Sequence, residues 1–284
     1  LVDGDDGWQL RGGAAALRTA IPDGLRAVIE PRLERLNANE LRVLEAASVA
    51  GPEFPAHAVA AVAPAGSDLG DIEFVEGICH LLARRQDILR VAGDTAWPDG
   101  TTSARYAFRH VLYQQVLYQR LAPSTRRRLH QTIGERLEAA HGGGTEQIAG
   151  ELAAHFERSG DIDRAVGHHA AAAARARSRF AYQEARLHLE TALALLRARP
   201  ESEGRWRQEM PLLDALGGTL FVLRGYGSDD AVQVFLRLRE LAERLDVAPM
   251  RWRAMDGLVL AHTVRAELTA AHALAQERLA LAEQ

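Results

Sequence analysis

The chain has 284 residues, enough for two domains or for one domain followed by a repeat array. Apolar residues make up 47% and charged residues 25%, the balance of a globular chain with a sizeable core, and a net charge of -4 gives no electrostatic sign of a nucleic-acid or membrane partner. One cysteine, Cys79, excludes an internal disulfide and a cysteine-built metal cluster, and a buried thiol is expected there.

All 34 basic residues are arginine. A Walker A loop needs a lysine to reach the phosphates, so this chain cannot hydrolyse ATP by P-loop chemistry on its own. Aromatic residues are only 6%, and the alanine- and leucine-rich remainder favours helices. No apolar run approaches a membrane span and no signal peptide opens the chain, so the cytoplasm is the expected compartment. The chain starts at Leu1 without a methionine and stops inside a helical pattern at Gln284, which suggests an internal piece of a longer protein.

At the start, Asp5, Asp6 and Gly7 form a turn, Trp8 to Leu10 read as a short strand, and Pro22 punctuates. Leu25, Val28, Ile29, Leu33 and Leu36 make a helical stripe that Pro31 is expected to interrupt. Asn39 is the expected N-cap of a helix from Glu40 to Val49, with Leu41, Leu44 and Val49 facing a core. Gly51 and Pro52 stop it, Pro55 to Val62 is a third short helix, and Pro64, Gly66 and Gly70 form a loop. The spacing predicts a fourth helix over Asp71 to Arg85 with Ile72, Val75, Ile78, Leu81 and Leu82 inward. A strand at Ile88 to Val91 and a turn-rich loop then lead to a second strand, Arg105 to Phe108.

From His110 onward only helices are predicted, near 110–121, 123–140, 145–159, 161–178, 181–198, 205–223, 229–245, 249–265 and 268–283. Ala185, Leu189 and Ala192 carry a small-large-small pattern, which Ala165 with Ala172, Ala231 with Phe235, and Ala271 with Leu274 and Leu279 echo. Ala185, Ala231 and Ala271 lie about 40 to 46 residues apart, longer than the roughly 34 of a tetratricopeptide (TPR) repeat, so the array is TPR-like and degenerate.

The strand-to-helix passage RYAFRHVLYQQVLY (Arg105 to Tyr118), followed by RRRLHQTIGERLE (Arg126 to Glu138), resembles a signature of bacterial STAND-type signalling ATPases, a branch of the AAA-like NTPases. The flanks IPDGLRAVIEPRLERL, ASVAGPEF, HLETALALL and GYGSDDAVQVFLRLRELAERLD resemble the same group. The resemblance implies a mainly α chain, with a winged-helix domain carrying a small β-hairpin over residues 1–140 and a TPR-like α-solenoid over residues 141–284. It further implies a nucleotide-binding core before Leu1 that holds ATP or ADP with magnesium, while this segment holds no cofactor of its own. The expected role is regulatory: the intramolecular NTPase core is one partner, and a protein or small-molecule inducer bound by the repeats is the other. In similar proteins the output is an adenylate/guanylate cyclase or a DNA-binding domain. The rival readings are a free-standing helical scaffold, part of a transcriptional regulator with DNA-binding output, and an enzyme in its own right.

His110 is the sharpest candidate residue, with Arg109 beside it. The resemblance implies that His110 senses the nucleotide β-phosphate, and a histidine where a strand enters a helix sits beside exposed N–H groups that favour an anion. The plain alternative is a helix cap. Seven arginines lie between Arg105 and Arg136 against one acid, Glu135, and are expected to face a neighbouring domain or solvent. The third major helix opens with Asp71, Glu73 and Glu76, which disfavours direct DNA binding. His168 and Arg164 are expected to be exposed and His169 packed; adjacent histidines on a helix diverge, so neither this pair nor His141 reads as a metal site. No nucleophile elbow, paired carboxylates or glycine-rich phosphate cradle is present, so no catalytic residue is assigned.

Overall fold

The computed structural model describes residues 2–4, 7–9, 23–62, 70–85 and 88–282. The turn at Asp5 and Asp6, Leu10, Pro22, the side chains of Leu25 and Val28, and the loop at Pro64 and Gly66 lie outside the described residues. The chain is mainly helical with a small three-stranded antiparallel sheet and divides into two compact units, Leu1–Gly142 and Gly143–Gln284.

The first unit opens with a short antiparallel pair, β1 (Val2–Gly4) and β2 (Gly7–Gln9). Helix α1 (Asp23–Leu33) runs through Pro31 rather than breaking there. The missing N–H falls two residues from the helix end, where Glu34 N still reaches Glu30 O at 3.0 Å. Helix α2 (Ala38–Ala50) is capped by Asn37, not Asn39. Asn37 Oδ1 accepts from the amides of Asn39 and Glu40, and Glu40 Oε2 accepts from the Asn37 amide at 2.9 Å, a reciprocal capping box that Asn39 has no partner to form.

Strand β3 (Glu53–Pro55) and helix α3 (Ala56–Ala60) replace the single helix expected from Pro55. Helix α4 (Ile72–Arg84) starts at the Asp71 cap and buries Val75, Cys79 and Leu82, while Leu81 is 44% exposed because the buried stripe turns past it. Strands β4 (Leu89–Ala96) and β5 (Thr102–Phe108) form the expected hairpin, kinked by an irregularity between Val91 and Gly93. The sheet order is β3-β5-β4. Strand β3 is too short to alternate visibly, but its Phe54, fully buried, packs on Tyr106 and Phe108 with ring centroids 6.3 and 5.7 Å away. Pro55 closes an edge strand, where its missing donor is tolerated. Helices α5 (Val111–Arg120) and α6 (Pro123–His141) complete the unit.

After a 3-10 segment (Gly142–Ile148), in place of the first turn of the expected 145–159 helix, the second unit is a run of helices joined by short connections. They are α7 (Ala149–Ser159), α8 (Ile162–Ser178), α9 (Tyr182–Arg197), α10 (Glu203–Arg224), α11 (Asp229–Arg244), α12 (Ala248–Val264) and α13 (Leu268–Ala282). Within the unit, consecutive helices from α7 to α13 pack on one another. Ala185 and Ala192 are fully buried, as are Ala165 and Ala231, where small side chains let helices approach. Leu279 departs from the expected pattern and is 63% exposed.

Four of the connections use one backbone device. Gly160, Phe180, Asp246 and Ala266 all take positive φ (91°, 60°, 51° and 59°). The next amide then reaches five residues back: Asp161 to Phe156, Ala181 to Ala176, Val247 to Ala242 and Glu267 to His262, at 2.8 to 3.0 Å. This is a Schellman turn, which satisfies otherwise orphaned carbonyls at a helix end. Deeper in the stack, the Phe235 ring of α11 lies between Gly217 of α10 and Gly257 of α12. A Cβ built at either glycine falls 2.5 to 2.8 Å from ring carbons, so no side chain fits at either position without displacing the ring.

Candidate functional site

His110 is the residue before α5, in extended conformation (φ -133°, ψ 132°), exposed, and without a side-chain hydrogen bond to the helix end. The capping alternative therefore fails for the ring, which instead stacks on Tyr113 one turn later with centroids 6.3 Å apart. Arg109 is also exposed, and its amide donates to Ile88 O at 2.8 Å, which ties the start of α5 to the entry of β4.

Tyr113 carries the connection inward. Its ring is 2% exposed and its hydroxyl accepts from Arg32 Nη1 at 2.6 Å. Arg32 lines a cavity of about 220 Å³ together with Arg35, Arg85, Leu36, Leu82 and Ile88. Arg85 donates to Glu40 Oε1 at 2.8 Å, and Glu40 is the carboxylate that closes the α2 capping box. Sequence reasoning missed Arg32, Arg35, Arg85 and Tyr113. The arginines follow two helical stripes some fifty positions apart, and only the packing of α1 against α4 and α5 brings them to one place.

The arginine run from Arg105 to Arg136 does not form one surface. Arg105 pairs with Glu53 across the sheet, and Arg126 lies over the Tyr118 ring at 5.2 Å. Arg136 holds the tip of the β4–β5 hairpin: its guanidinium donates to Asp99 Oδ2 at 2.8 Å and Thr101 Oγ1 at 3.0 Å, and lies 4.7 Å from the Trp97 ring centre. Hydrogen bonds from Thr101, and next from Arg136, hold the Asp99 carboxyl down at about 2. The hairpin tip is thus folded back onto α6. Arg109, Arg127 and Arg128 remain exposed. On α4 the acids are structural: Asp71 caps the helix and Glu76 Oε1 accepts from the Ala104 amide at 2.9 Å. Burial pushes the Cys79 thiol up to about 12, leaving it inert as a nucleophile.

In the second unit a groove of about 390 Å³ runs between α8 and α10 over Leu189 of α9. Its walls are Val166, Ala170 and Leu212, with Asp163 and Gln208 among its polar groups and Arg177 further along α8. His168 is half-buried rather than exposed, because it stacks on Phe156 at 5.3 Å. His169 is buried; its Nδ1 meets His188 Nδ1 at 2.9 Å and its Nε2 meets Glu157 Oε2 at 3.3 Å. With Nε2–H donating to Glu157, His188 must supply the proton between the two Nδ1 atoms, and neither atom is left with an outward lone pair for a metal. Burial lowers the pKa of His169. Among the described residues no three His, Cys, Asp or Glu side chains converge as a metal site, and no helix is long and apolar enough to cross a membrane.

No family model matches the chain. Among curated proteins, an uncharacterized protein of Rhizobium meliloti (strain 1021) is 30% identical over 235 residues, covering 80% of this chain and 21% of the relative. The chain spans about a fifth of that relative's length.

Proposed function

We propose that this chain is a regulatory and protein-interaction segment of a STAND-type ATP-binding signal-transduction protein. In this reading the first unit is a winged-helix domain that docks on an NTPase core elsewhere in the full-length protein. The second is a TPR-like array that binds a protein or small-molecule inducer, for which the groove between α8 and α10 is the candidate site. Nucleotide state and inducer binding are coupled because each favours one arrangement of core and segment.

The observation that supports this best is His110. Its ring is exposed at the start of a helix, makes no hydrogen bond among the described residues and has Arg109 at its side. The ring does not cap the helix, and its described ring contact is the stack on Tyr113. In the closed, ADP-bound state His110 would donate to a phosphate oxygen of the nucleotide held by the core.

The test is His110→Ala in the full-length protein. A hydrogen bond to a charged group is worth about 1.5–3 kcal/mol, so the closed state should weaken by roughly 10- to 150-fold. ADP retention should fall and basal output should rise without inducer. Unchanged ADP retention, or lower output accompanied by lost thermal stability, would assign His110 a packing role and remove the main support for this reading.

A further inference from the structure

We propose that the groove between α8 and α10 binds a small amphipathic carboxylate, a molecule with an elongated apolar body whose acid group pairs with Arg177. Only the biological role of this ligand, that of the inducer, rests on the functional reading above; its chemistry does not.

The groove lies where the stack departs from its neighbouring step. Ala185 and Leu189 of α9 stand at the same spacing as Ala231 and Phe235 of α11. The Phe235 ring fills the space between Gly217 and Gly257, and there α10 packs directly on α12. Among the described residues no such packing joins α8 to α10, and the smaller Leu189 floors an open groove of about 390 Å³. That volume falls in the roughly 300–1,000 Å³ of sites that hold a small molecule. Gly167 and Arg177 both line its α8 wall. They are about 15 Å apart along the helix axis, so the groove is elongated.

Its polar groups sit at the two ends and differ in charge. At one end Asp163 Oδ1 accepts from Arg199 Nη1 at 2.7 Å and from Gln208 Nε2 at 3.3 Å, so that carboxylate is already paired. At the other end Arg177 is exposed, and its side chain makes no hydrogen bond or ion pair among the described residues. Its Nη2 lies 3.7 Å from where a Cβ on Gly218 of α10 would stand, so the guanidinium reaches across the groove. Its paired N–H donors match the two oxygens of a carboxylate. Between these ends every lining side chain is apolar: Gly167, Ala170 and Ala174 on α8, Leu189 beneath, and Pro211 and Ala215 opposite. An extended peptide laid there would strip water from its amides and find no side-chain partner for them, which is unfavourable for each amide buried. A hydrocarbon body has no such groups, and its burial over Leu189 is favourable. Asp163 repels a second anion, which places the acid group at Arg177 and the apolar body toward Gly167.

The test titrates the 284-residue chain calorimetrically with decanoate below its micelle concentration and, in parallel, with decanol as its uncharged counterpart. One decanoate per chain should bind, more tightly than decanol. Arg177→Gln, at an exposed position with no ion pair to lose, should keep the wild-type melting temperature. It should weaken decanoate about tenfold or more and leave decanol unchanged. Ala174→Trp, also at an exposed position, should fill the groove and abolish binding of both. Wild-type decanoate affinity in Arg177→Gln overturns the proposal, as does an equal loss for decanol in that variant. A wild type that binds neither probe also overturns it and leaves the groove to a protein partner. Failure here is distinct from failure of the functional reading. Decanoate binding that leaves the basal output of the full-length protein unchanged would support the site and count against its role as the inducer site. A silent groove beside lowered ADP retention in His110→Ala would overturn the site and leave the functional reading standing.

Discussion

The two units are held together in different ways. In the first, the contacts that matter join segments far apart in sequence: Phe54 packs on a strand fifty residues later, Arg85 reaches Glu40, Arg136 holds the hairpin tip and Arg32 reaches Tyr113. In the second, each helix is buried mainly by its sequence neighbours, and the same turn recurs with different residues in it. A domain knit by distant contacts places a few polar groups at fixed positions, which suits a site. A stack of near neighbours shares its stability along the chain and offers grooves between helices, which suits an extended interaction surface. A buried carboxylate interrupts the apolar stack: Glu209, fully buried on α10 beside the buried Arg205, accepts from Arg197 and Arg237.

The largest effect expected is from Phe54→Ala. Removing a fully buried aromatic ring should cost about 3–5 kcal/mol and should loosen the whole first unit, because the ring joins β3 to β5. Hydrogen exchange checks the contrast: protection should be lost from α2 through β5 while α8 to α12 keep theirs. Loss confined to β3 alone would mean the first unit is not cooperative in the way its contacts suggest.

Gly257→Ala should cost about 1–3 kcal/mol by overpacking. The Phe235 ring cannot retreat, since Gly217 faces its other side at similarly short range. Here the exchange change should stay local to α10, α11 and α12. A wild-type melting temperature would show that the ring has room the structure does not contain.

His155 makes the second unit acid-sensitive. It is 4% exposed, and burial first, then the nearby Arg158 charge, push its pKa down to about 4. The folded chain therefore keeps it neutral while the unfolded chain takes up a proton near its ordinary value of about 6.5. This contribution is fully present above that pH and is lost as pH falls from about 6.5 to about 4, by on the order of 3 kcal/mol. Melting curves at neutral and acid pH should show the loss, and His155→Leu should flatten it. Burial of His169 acts in the same direction.

The smallest expected effect tests the recurring turn. Ala266 holds a φ of 59° that glycine adopts without penalty, so Ala266→Gly should gain up to about 1 kcal/mol. Gly160→Ala, at the equivalent position with φ 91°, should lose a similar amount. Opposite signs in the two melts would establish that one turn geometry is imposed at both places.

The sequence alone determined the helical character of the chain, the β4–β5 hairpin, the approximate limits of the helices after His110 and the burial of Cys79, Ala185 and Ala192. Those follow from periodicity and composition, which are local. It placed His110 correctly at the start of a helix, because a strand pattern changes to a helical one there. Tertiary structure decided the rest. It recruited Glu53–Pro55 into the sheet, because a three-residue strand is stabilised by its partner strand and carries no pattern of its own. It imposed one turn on Gly160, Phe180, Asp246 and Ala266, three of which have no intrinsic preference for it strong enough to read. And it gathered Arg32, Arg35 and Arg85 around one cavity, since charges that converge through the packing of separate helices have no spacing in the sequence by which to be recognised.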